Sequence, residues 1–215
     1  SEESLLGRVL PVHLRLTTIA DVDEVALADG PPPDKPGNPD ALRYLLARKT
    51  GSDLETTYTS LVEPYETDPA VEDVEPVDVT TSAGTPVAPE TARAVKVRLE
   101  NGRVDYVASS TEPDQSFIVD DVVRFSGAVA TVSLNNGTPE HAYLHGGTEL
   151  TMIASDTANR LIDIPTRAVT GHVSGFTREL SSENYIDVTV SDPVPGELST
   201  LEGRWLYAET AGDRN

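Results

Sequence analysis

The sequence predicts an all-β protein, an antiparallel β-sandwich in which two sheets of short strands pack face to face. Two observations support this class. Apolar and polar residues alternate over short runs in much of the 215-residue chain, as is typical of half-buried strands. Gly, Pro and Asn-Gly separate those runs at even spacing, which favours a sandwich over a parallel fold. No stretch predicts a helix, and residues 1–215 are predicted to form one sandwich-like domain.

The chain begins with two predicted strands and a proline-rich loop. Residues 9–19 alternate apolar and polar side chains, and residues 24–28 form a second strand. Residues 29–39 hold five prolines and two glycines, which exclude both a helix and a central strand. We predict a rigid surface connector there, and a loop that faces a ligand is the alternative.

Residues 41–66 are predicted to form the central hairpin of the domain. Residues 42–47 are almost continuously apolar, which fits a strand covered on both faces. Residues 49–53 supply a polar turn, and the return strand over 54–62 is rich in Thr and Tyr. Pro64 has no N–H to donate, so regular pairing is predicted to stop there.

Two Asn-Gly pairs predict tight hairpins farther along the chain. If Asn101-Gly102 turns as type I′, the register pairs Glu100 with Arg103, Leu99 with Val104, Arg98 with Asp105 and Val97 with Tyr106. That register matches two opposite-charge pairs and two apolar pairs. Around Asn136-Gly137, residues 129–134 and 141–144 form a second hairpin. Further short strands are predicted within residues 71–79, 117–125, 150–154, 161–164, 168–176, 185–190 and 204–209.

A net charge of −20 at pH 7 is the strongest bulk feature of the chain. It opposes binding to nucleic acid and to anionic membranes, because like charges repel, so neither is predicted as a partner. Lysine occurs three times among many carboxylates, which suggests a surface adapted to high salt; ordinary acidic solubility is the alternative. The chain has no cysteine, which excludes disulfides, cysteine-based zinc sites and cysteine nucleophiles.

No catalytic, cofactor-binding or metal-binding residue is predicted. His141 and His145 are four residues apart, but a strand separates such positions by about 13 Å, too far for one zinc ion. Glu63, Glu66 and Asp68 offer oxygen atoms of the kind that calcium prefers. Because they lack the spacing of a calcium-binding loop, we interpret them as a solvated acidic face.

Aromatic rings are the remaining candidates for a binding surface, because a flat ring can stack on the apolar face of a sugar. Aromatic content is only 5%, and core packing is the default role of a ring on a strand. Tyr58, Tyr65 and Trp205 are assigned as candidate contacts to a glycan or to a neighbouring domain.

Four segments resemble the C-terminal β-rich region of the heparinase II/III-like polysaccharide lyases. They are VALADG at 25–30, YLLAR at 44–48, TTYTSLVEPY at 56–65, and GRWLYAE at 203–209 followed by Gly212-Asp213. The segment 56–65 is the most specific of the four. Residues 67–159 contain no motif that can be placed in that family.

The resemblance implies a parent chain with an N-terminal α/α toroid, of which residues 1–215 are the C-terminal part. Members of the family cleave uronate-containing glycans by β-elimination, and their catalytic residues match no position here. The resemblance therefore predicts a non-catalytic domain that supports the toroid, with polysaccharide as a second candidate partner and an extracellular or periplasmic location. An autonomous carbohydrate-binding or adhesive β-sandwich module is the alternative, and an independent enzyme ranks third.

Overall fold

The computed structural model describes residues 12–153, 159–164, 166, 168–179, 181–191, 193–194, 196 and 198–209. These residues form sixteen β-strands and one short 3-10 turn, Leu198–Leu201, and contain no α-helix. The predicted all-β, antiparallel fold is therefore confirmed. In chain order the strands are β1 His13–Ile19, β2 Glu24–Gly30, β3 Leu42–Arg48, β4 Thr59–Tyr65, β5 Val71–Val77, β6 Val79–Thr81, β7 Ala92–Leu99, β8 Arg103–Ser110, β9 Ser116–Val119, β10 Val123–Ser126, β11 Val129–Asn135, β12 Thr138–His145, β13 Glu149–Met152, β14 Asn159–Asp163, β15 Gly171–Phe176 and β16 Ile186–Val190.

A sandwich of two five-stranded sheets contains the core. One sheet has the strand order β12-β11-β8-β7-β5 and the other β14-β13-β10-β9-β6, with antiparallel neighbours throughout. Inward side chains alternate with outward ones along each central strand, as two faces of a pleated sheet require. The sandwich is therefore built mainly from residues 71–153, in the part of the chain where no lyase motif could be placed.

The core combines large and small side chains from both sheets. Phe117, Phe125 and Leu150 of the second sheet are fully buried, and the two phenyl rings lie 5.8 Å apart between centroids. The first sheet offers alanines on its inner face, which leave room for those rings. These alanines are Ala92, Ala94, Ala108 and Ala130. A void of about 10 Å³ remains, no larger than one water molecule and lined by apolar side chains apart from Tyr106.

The two Asn-Gly pairs form different turns. Asn136 and Gly137 both have positive φ, 50° and 77°, and Asn135 pairs with Thr138, which is the predicted two-residue type I′ hairpin. The tripeptide Asn136-Gly137-Thr138, which matches the glycosylation sequon, is thus part of a hairpin turn.

At Asn101-Gly102 the predicted register is wrong by one residue. Only Gly102 takes a positive φ, and its N–H donates to the Leu99 carbonyl, so the loop is longer by one residue than a type I′ turn. Arg98 lies opposite Val104, not opposite Asp105. Other partners replace the predicted charge pairs, because Arg98 binds Glu75 of β5 at 2.6 Å and Arg103 binds Asp105 on its own strand.

Residues 41–66 do not form the predicted central hairpin. Strand β3 pairs with β2, and β4 pairs with β1, so the four strands make one nested hairpin outside the sandwich. Residues 49–58 contain no strand, and Thr50 and Lys49 bind back to the link between β1 and β2. Pro64 lies inside β4 opposite Leu14, which is possible because one edge of a two-stranded ribbon needs no donor.

We call residues 13–65 the arm. Its root ribbon is β1 with β4, and its tip ribbon is β2 with β3, with the proline-rich segment closing the tip as an exposed loop. A polar joint connects the two ribbons. There the Thr50 hydroxyl and N–H both donate to Asp23, and with Lys49 nearby they lower the pKa of that carboxyl to about 2.

A third ribbon, β15 with β16, follows the sandwich in the chain. The predicted last strand over residues 204–209 is wrong, because these residues have no regular secondary structure. The rings of that segment are also unusually exposed, with Trp205 at 83% and Tyr207 at 80%.

Candidate functional site

The three aromatic residues proposed from sequence lie in separate places. Tyr58 is exposed just before β4, and Tyr65 ends that strand, about 23 Å farther along an extended chain. Tyr65 stacks on His13 with ring centroids 5.2 Å apart. Trp205 belongs to the irregular segment near the end of the described chain. Among the described residues no ring contact joins any two of these three side chains.

The histidines and acidic residues do not gather into a metal site. His141 and His145 are both exposed on β12. In the part of the chain that the structure describes, no group of three or more His, Asp or Glu side chains could hold a metal ion. Glu63 is buried and ion-paired, so its interpretation as part of a solvated acidic face is wrong, whereas Glu66 and Asp68 are exposed. No helix within the described ranges is long and apolar enough to cross a membrane.

A polar centre inside the sandwich links its two sheets. Lys96 on β7 and the Tyr106 hydroxyl on β8 both donate to the Asp120 carboxylate, each at 2.8 Å. Asp120 and Asp121 form the turn between β9 and β10, both with positive φ. Burial opposes the charged form of Asp120, but the two hydrogen bonds outweigh it and lower the pKa of the carboxyl. The hydrogen bond to Asp120 also raises the pKa of Lys96.

This polar centre acts as an inter-sheet cross-link. Its donors and its acceptor satisfy one another, and such paired networks fix how two layers pack. The sequence does not predict this cross-link. Its one local signal is the Asp120-Asp121 pair between two apolar runs, which indicates a turn but does not identify Lys96 and Tyr106 as the residues that bind Asp120. Asp tolerates positive φ better than most residues, and the hydrogen bonds to its carboxylate favour it over glycine here.

The tip ribbon exposes apolar side chains on both faces. Directly opposed residues of an antiparallel pair share a face. The front face therefore consists of Val25, Leu27, Leu45 and Ala47, and it ends at the Asp29–Arg43 ion pair. Leu27 and Leu45 lie directly opposite each other on this face, and Leu27 is 67% exposed.

The back face of the tip ribbon has a different shape. It consists of Ala26, Ala28, Gly30, Leu42, Tyr44 and Leu46, and it ends at the Glu24–Arg48 ion pair. The large side chains all come from β3 and the small ones from β2, so a ridge runs beside a trough. The Tyr44 ring leans over Gly30, where an added Cβ would lie 2.8 Å from it. The prediction that residues 42–47 are covered on both faces is wrong, because Leu42, Tyr44, Leu45 and Leu46 are all exposed.

The root ribbon attaches the arm to the sandwich through one buried carboxylate. Arg15 donates to Glu63 at 2.9 Å and also to the Val71 carbonyl at the start of β5. The Val71 N–H donates to the other Glu63 oxygen at 2.8 Å. Burial opposes the charged form of Glu63, but these donors and the Ala70 N–H outweigh it and lower its pKa. On the opposite, outer face the apolar Leu14, Leu16, Val62 and Pro64 are exposed.

The arm strands carry no net charge. Their charged side chains are three arginines and three carboxylates, and all six form ion pairs: Arg15–Glu63, Arg43–Asp29 and Arg48–Glu24. Residues 66–153 carry fifteen carboxylates against five basic side chains, a net charge of −10. The paired strands of the arm are therefore a neutral apolar surface on a strongly acidic protein, and the excess of negative charge within residues 13–65, −4 in all, lies in the joint and the proline-rich loop.

The third ribbon has one bare apolar face. A bulge between Val173 and Gly175 brings Phe176 onto the same face as Val173. With them lie Ile186, Val188 and Val190, and all five side chains are at least 40% exposed. The opposite face holds His172, Gly175, Asp187 and Thr189.

All three ribbons need a cover, because an isolated two-stranded ribbon is only marginally stable in water. Large continuous apolar surfaces on a folded protein mark sites of interaction. No protein-family model, no curated protein and no solved structure matches this chain. The arm is the best-defined candidate surface, since its faces, its charges and its attachment to the sandwich are all described.

Proposed function

We propose that this chain is a non-catalytic structural module that assembles with further copies of itself through its arm. The observation that carries the proposal is the tip ribbon, which is apolar and bare on both faces and whose charges are already paired. Burying side chains that are about half exposed contributes on the order of 1 kcal/mol each, and the tip ribbon offers several of them.

Charge favours a second copy as the occupant of this surface. Two bodies that each carry −10 repel one another, so copies of the sandwich do not readily pack together. The arm strands are neutral, and contact between their faces brings no unpaired strand charge into the interface. An apolar surface of this kind therefore allows self-association in an otherwise self-repelling protein.

The exposed side chains of the arm supply surface for such burial. Its exposed large apolar side chains range from 40% to 69% exposed. A standard protein interface buries about 800 Å² on each partner, and obligate oligomers bury considerably more.

The resemblance to the lyases offers another partner for the same surface, the toroid of a parent chain, and that interpretation stays a prediction. The carbohydrate-binding module also stays a prediction, with exposed Tyr58 and Trp205 as its candidate contacts. Adaptation to high salt remains a hypothesis, and it bears on assembly because salt screens the self-repulsion of an acidic chain.

Sedimentation velocity over a concentration series tests the proposal, in low and in molar salt. We expect an oligomer for the wild-type chain and a monomer for Leu27→Glu, which places a charge on the front face. Tyr143→Glu is the matched control, because Tyr143 is 50% exposed on the sandwich edge strand β12 and should leave the oligomer intact. A wild-type chain that stays monomeric throughout would contradict the proposal.

Two further measurements separate the other interpretations. Ultraviolet detection of unsaturated uronates on a glycan panel tests for lyase turnover, and a binding titration on the same panel tests for glycan affinity. Turnover would show that the chain is an enzyme. Specific glycan affinity in a monomeric chain, unchanged by Leu27→Glu, would show that it is a carbohydrate-binding module. Either result would replace the proposal of self-assembly.

A further inference from the structure

The two faces of the tip ribbon determine how copies of the chain can meet. We propose that the front face of one copy packs on the back face of the next, so that copies join in series, an arrangement that rests on the proposed function. Such a contact is heterologous, because different surfaces of the same chain meet.

A two-fold dimer cannot cover both faces. In a two-fold contact the same patch meets itself, so a dimer through the front face leaves Leu42, Tyr44 and Leu46 of the back face bare. A dimer through the back face leaves Leu27 and Leu45 bare. Contact between unlike faces covers both with a single kind of interface, and repeating it joins further copies in series.

The shapes of the two faces are complementary. On β2, Leu27 and Val25 project from the front face, and Leu27 is the most exposed large side chain of the tip ribbon. On the back face the same strand offers Ala26 and Ala28, a trough beside the β3 ridge. A projecting Leu fits a trough of alanines better than it fits a second projecting Leu, which favours front-to-back over front-to-front packing.

The ion pairs are also placed so that they do not meet. The Asp29–Arg43 pair lies on the front face beside the proline-rich loop, and the Glu24–Arg48 pair lies on the back face beside the joint. When arms of neighbouring copies run in the same direction, the two pairs are at opposite ends of each contact. The apolar middle of one face then lies against the apolar middle of the next.

Complementing variants test this arrangement by native mass spectrometry and sedimentation velocity. Leu27→Glu disables the front face and Leu46→Glu disables the back face. We expect each variant alone to be monomeric and an equimolar mixture to form a 1:1 heterodimer, because one intact front face and one intact back face remain. The wild-type chain should show a mass of at least three copies, and Tyr143→Glu should behave as the wild type.

Other arrangements give different patterns. If Leu46→Glu alone still dimerises, or Leu27→Glu alone does, like faces meet and the front-to-back arrangement is overturned while self-assembly stands. A wild-type dimer overturns it in the same way. A wild-type monomer instead contradicts the proposed function. Unchanged circular dichroism and thermal unfolding of the sandwich confirm that the variants fold, and Leu27→Ser with Leu46→Ser repeats the test without added charge.

Cysteine cross-linking gives a second readout, because the chain has no cysteine of its own. Ala47→Cys lies on the front face and Ala26→Cys on the back face, one residue step apart along the ribbon. They point to opposite sides of one ribbon, so a disulfide between them must join two copies. We expect oxidation of the double variant to give a ladder of cross-linked multimers, and neither single variant to cross-link. Cross-linking by Ala47→Cys alone would show that front faces meet each other.

Discussion

The sandwich and the arm are built from the same kind of strand, and they differ in what covers them. Phe117 of the sandwich is fully buried between two five-stranded sheets, whereas Leu27 of the arm is 67% exposed on a two-stranded ribbon. Local sequence does not separate the two cases, since both side chains sit in apolar runs. The sandwich supplies its own second layer, and the arm requires one from elsewhere.

The two regions also use charge differently. In the sandwich, Lys96 and Arg98 bind carboxylates on neighbouring strands or on the facing sheet, inside a region with a net charge of −10. In the arm, every charge on a strand is cancelled by a partner in the same ribbon. Charge links neighbouring strands and the two sheets in the sandwich, whereas in the arm it is cancelled within each ribbon.

The largest expected difference comes from truncating one apolar side chain in each region. Phe117→Ala should lower the free energy of unfolding of the sandwich by about 3–5 kcal/mol, because the cavity cannot be refilled. Leu27→Ala should change the stability of the monomer by less than about 0.5 kcal/mol and weaken assembly instead. Denaturant unfolding at several protein concentrations separates the two, since only an assembly effect depends on concentration. A concentration-independent loss above about 1 kcal/mol for Leu27→Ala would mean that the arm has a core of its own.

The inter-sheet cross-link should also contribute to the stability of the sandwich, by a smaller amount than the core. Asp120→Asn keeps the size and the tolerance of positive φ but removes the charge that binds Lys96 and Tyr106. We expect a loss of about 2 kcal/mol in the free energy of unfolding. Asp121→Asn, in the same turn and exposed, is the matched control and should change it by less than about 0.5 kcal/mol. Equal effects of the two substitutions would assign the cost to the turn and not to the cross-link.

The pH dependence of that difference follows from the two pKa shifts. The folded-state pKa of Asp120 is lowered, so its contribution is complete above the ordinary value of 3.8 and is lost as pH falls through the folded value. The pKa of Lys96 is raised, so its contribution is complete below 10.5 and is lost as pH rises through the folded value. The stability gap between wild type and Asp120→Asn should therefore be constant between these limits and shrink on the acid side, as unfolding curves over a pH series would show.

The attachment of the arm should respond to a single carboxylate. Glu63→Gln keeps an acceptor for the Val71 N–H but removes the ion pair with Arg15, and we expect a local cost of roughly 1–2 kcal/mol. The measurement is hydrogen exchange of the Val71 amide, which should speed up by roughly tenfold or more as the junction opens. Glu66→Gln, three residues on and exposed, is the control and should leave that exchange unchanged. An unchanged Val71 amide in Glu63→Gln would show that the Arg15–Glu63 ion pair does not hold the arm to the sandwich.

Strands can be predicted from this sequence more readily than their partners can. The strand predicted over residues 42–47 is confirmed as β3, but its pairing with β2 depends on a long loop that no local rule selects. The return strand of a core hairpin is predicted over residues 54–62; the observed strand β4, Thr59–Tyr65, instead closes the root of the arm. Apolar residues on both faces of a strand predict burial, and they do not say whether the cover belongs to the same chain.

The turns show the same limit on a smaller scale. Asn136-Gly137 forms the predicted two-residue turn, and the pairing of its strands shifts register only farther on, between Ser133 and Leu134. Asn101-Gly102 does not, because β5 lies beside β7 and offers Glu75 to Arg98. The register of that hairpin is thus set by a third strand, which pattern analysis of two strands cannot include.

Glycine gives the smallest test of the contrast between the two regions. Gly137 has φ 77° in the sandwich turn, with open space around it, so Gly137→Ala should cost about 1 kcal/mol of unfolding free energy through backbone strain alone. Gly30, at the tip of the arm, does not need a positive φ, and an added methyl group would meet only the Tyr44 ring. That ring is 48% exposed and can swing away, so Gly30→Ala should change monomer stability by less than about 0.5 kcal/mol. Thermal unfolding of both variants at low protein concentration measures the difference, and a larger loss for Gly30→Ala would mean that the Tyr44 ring is held in place even when no second copy covers it.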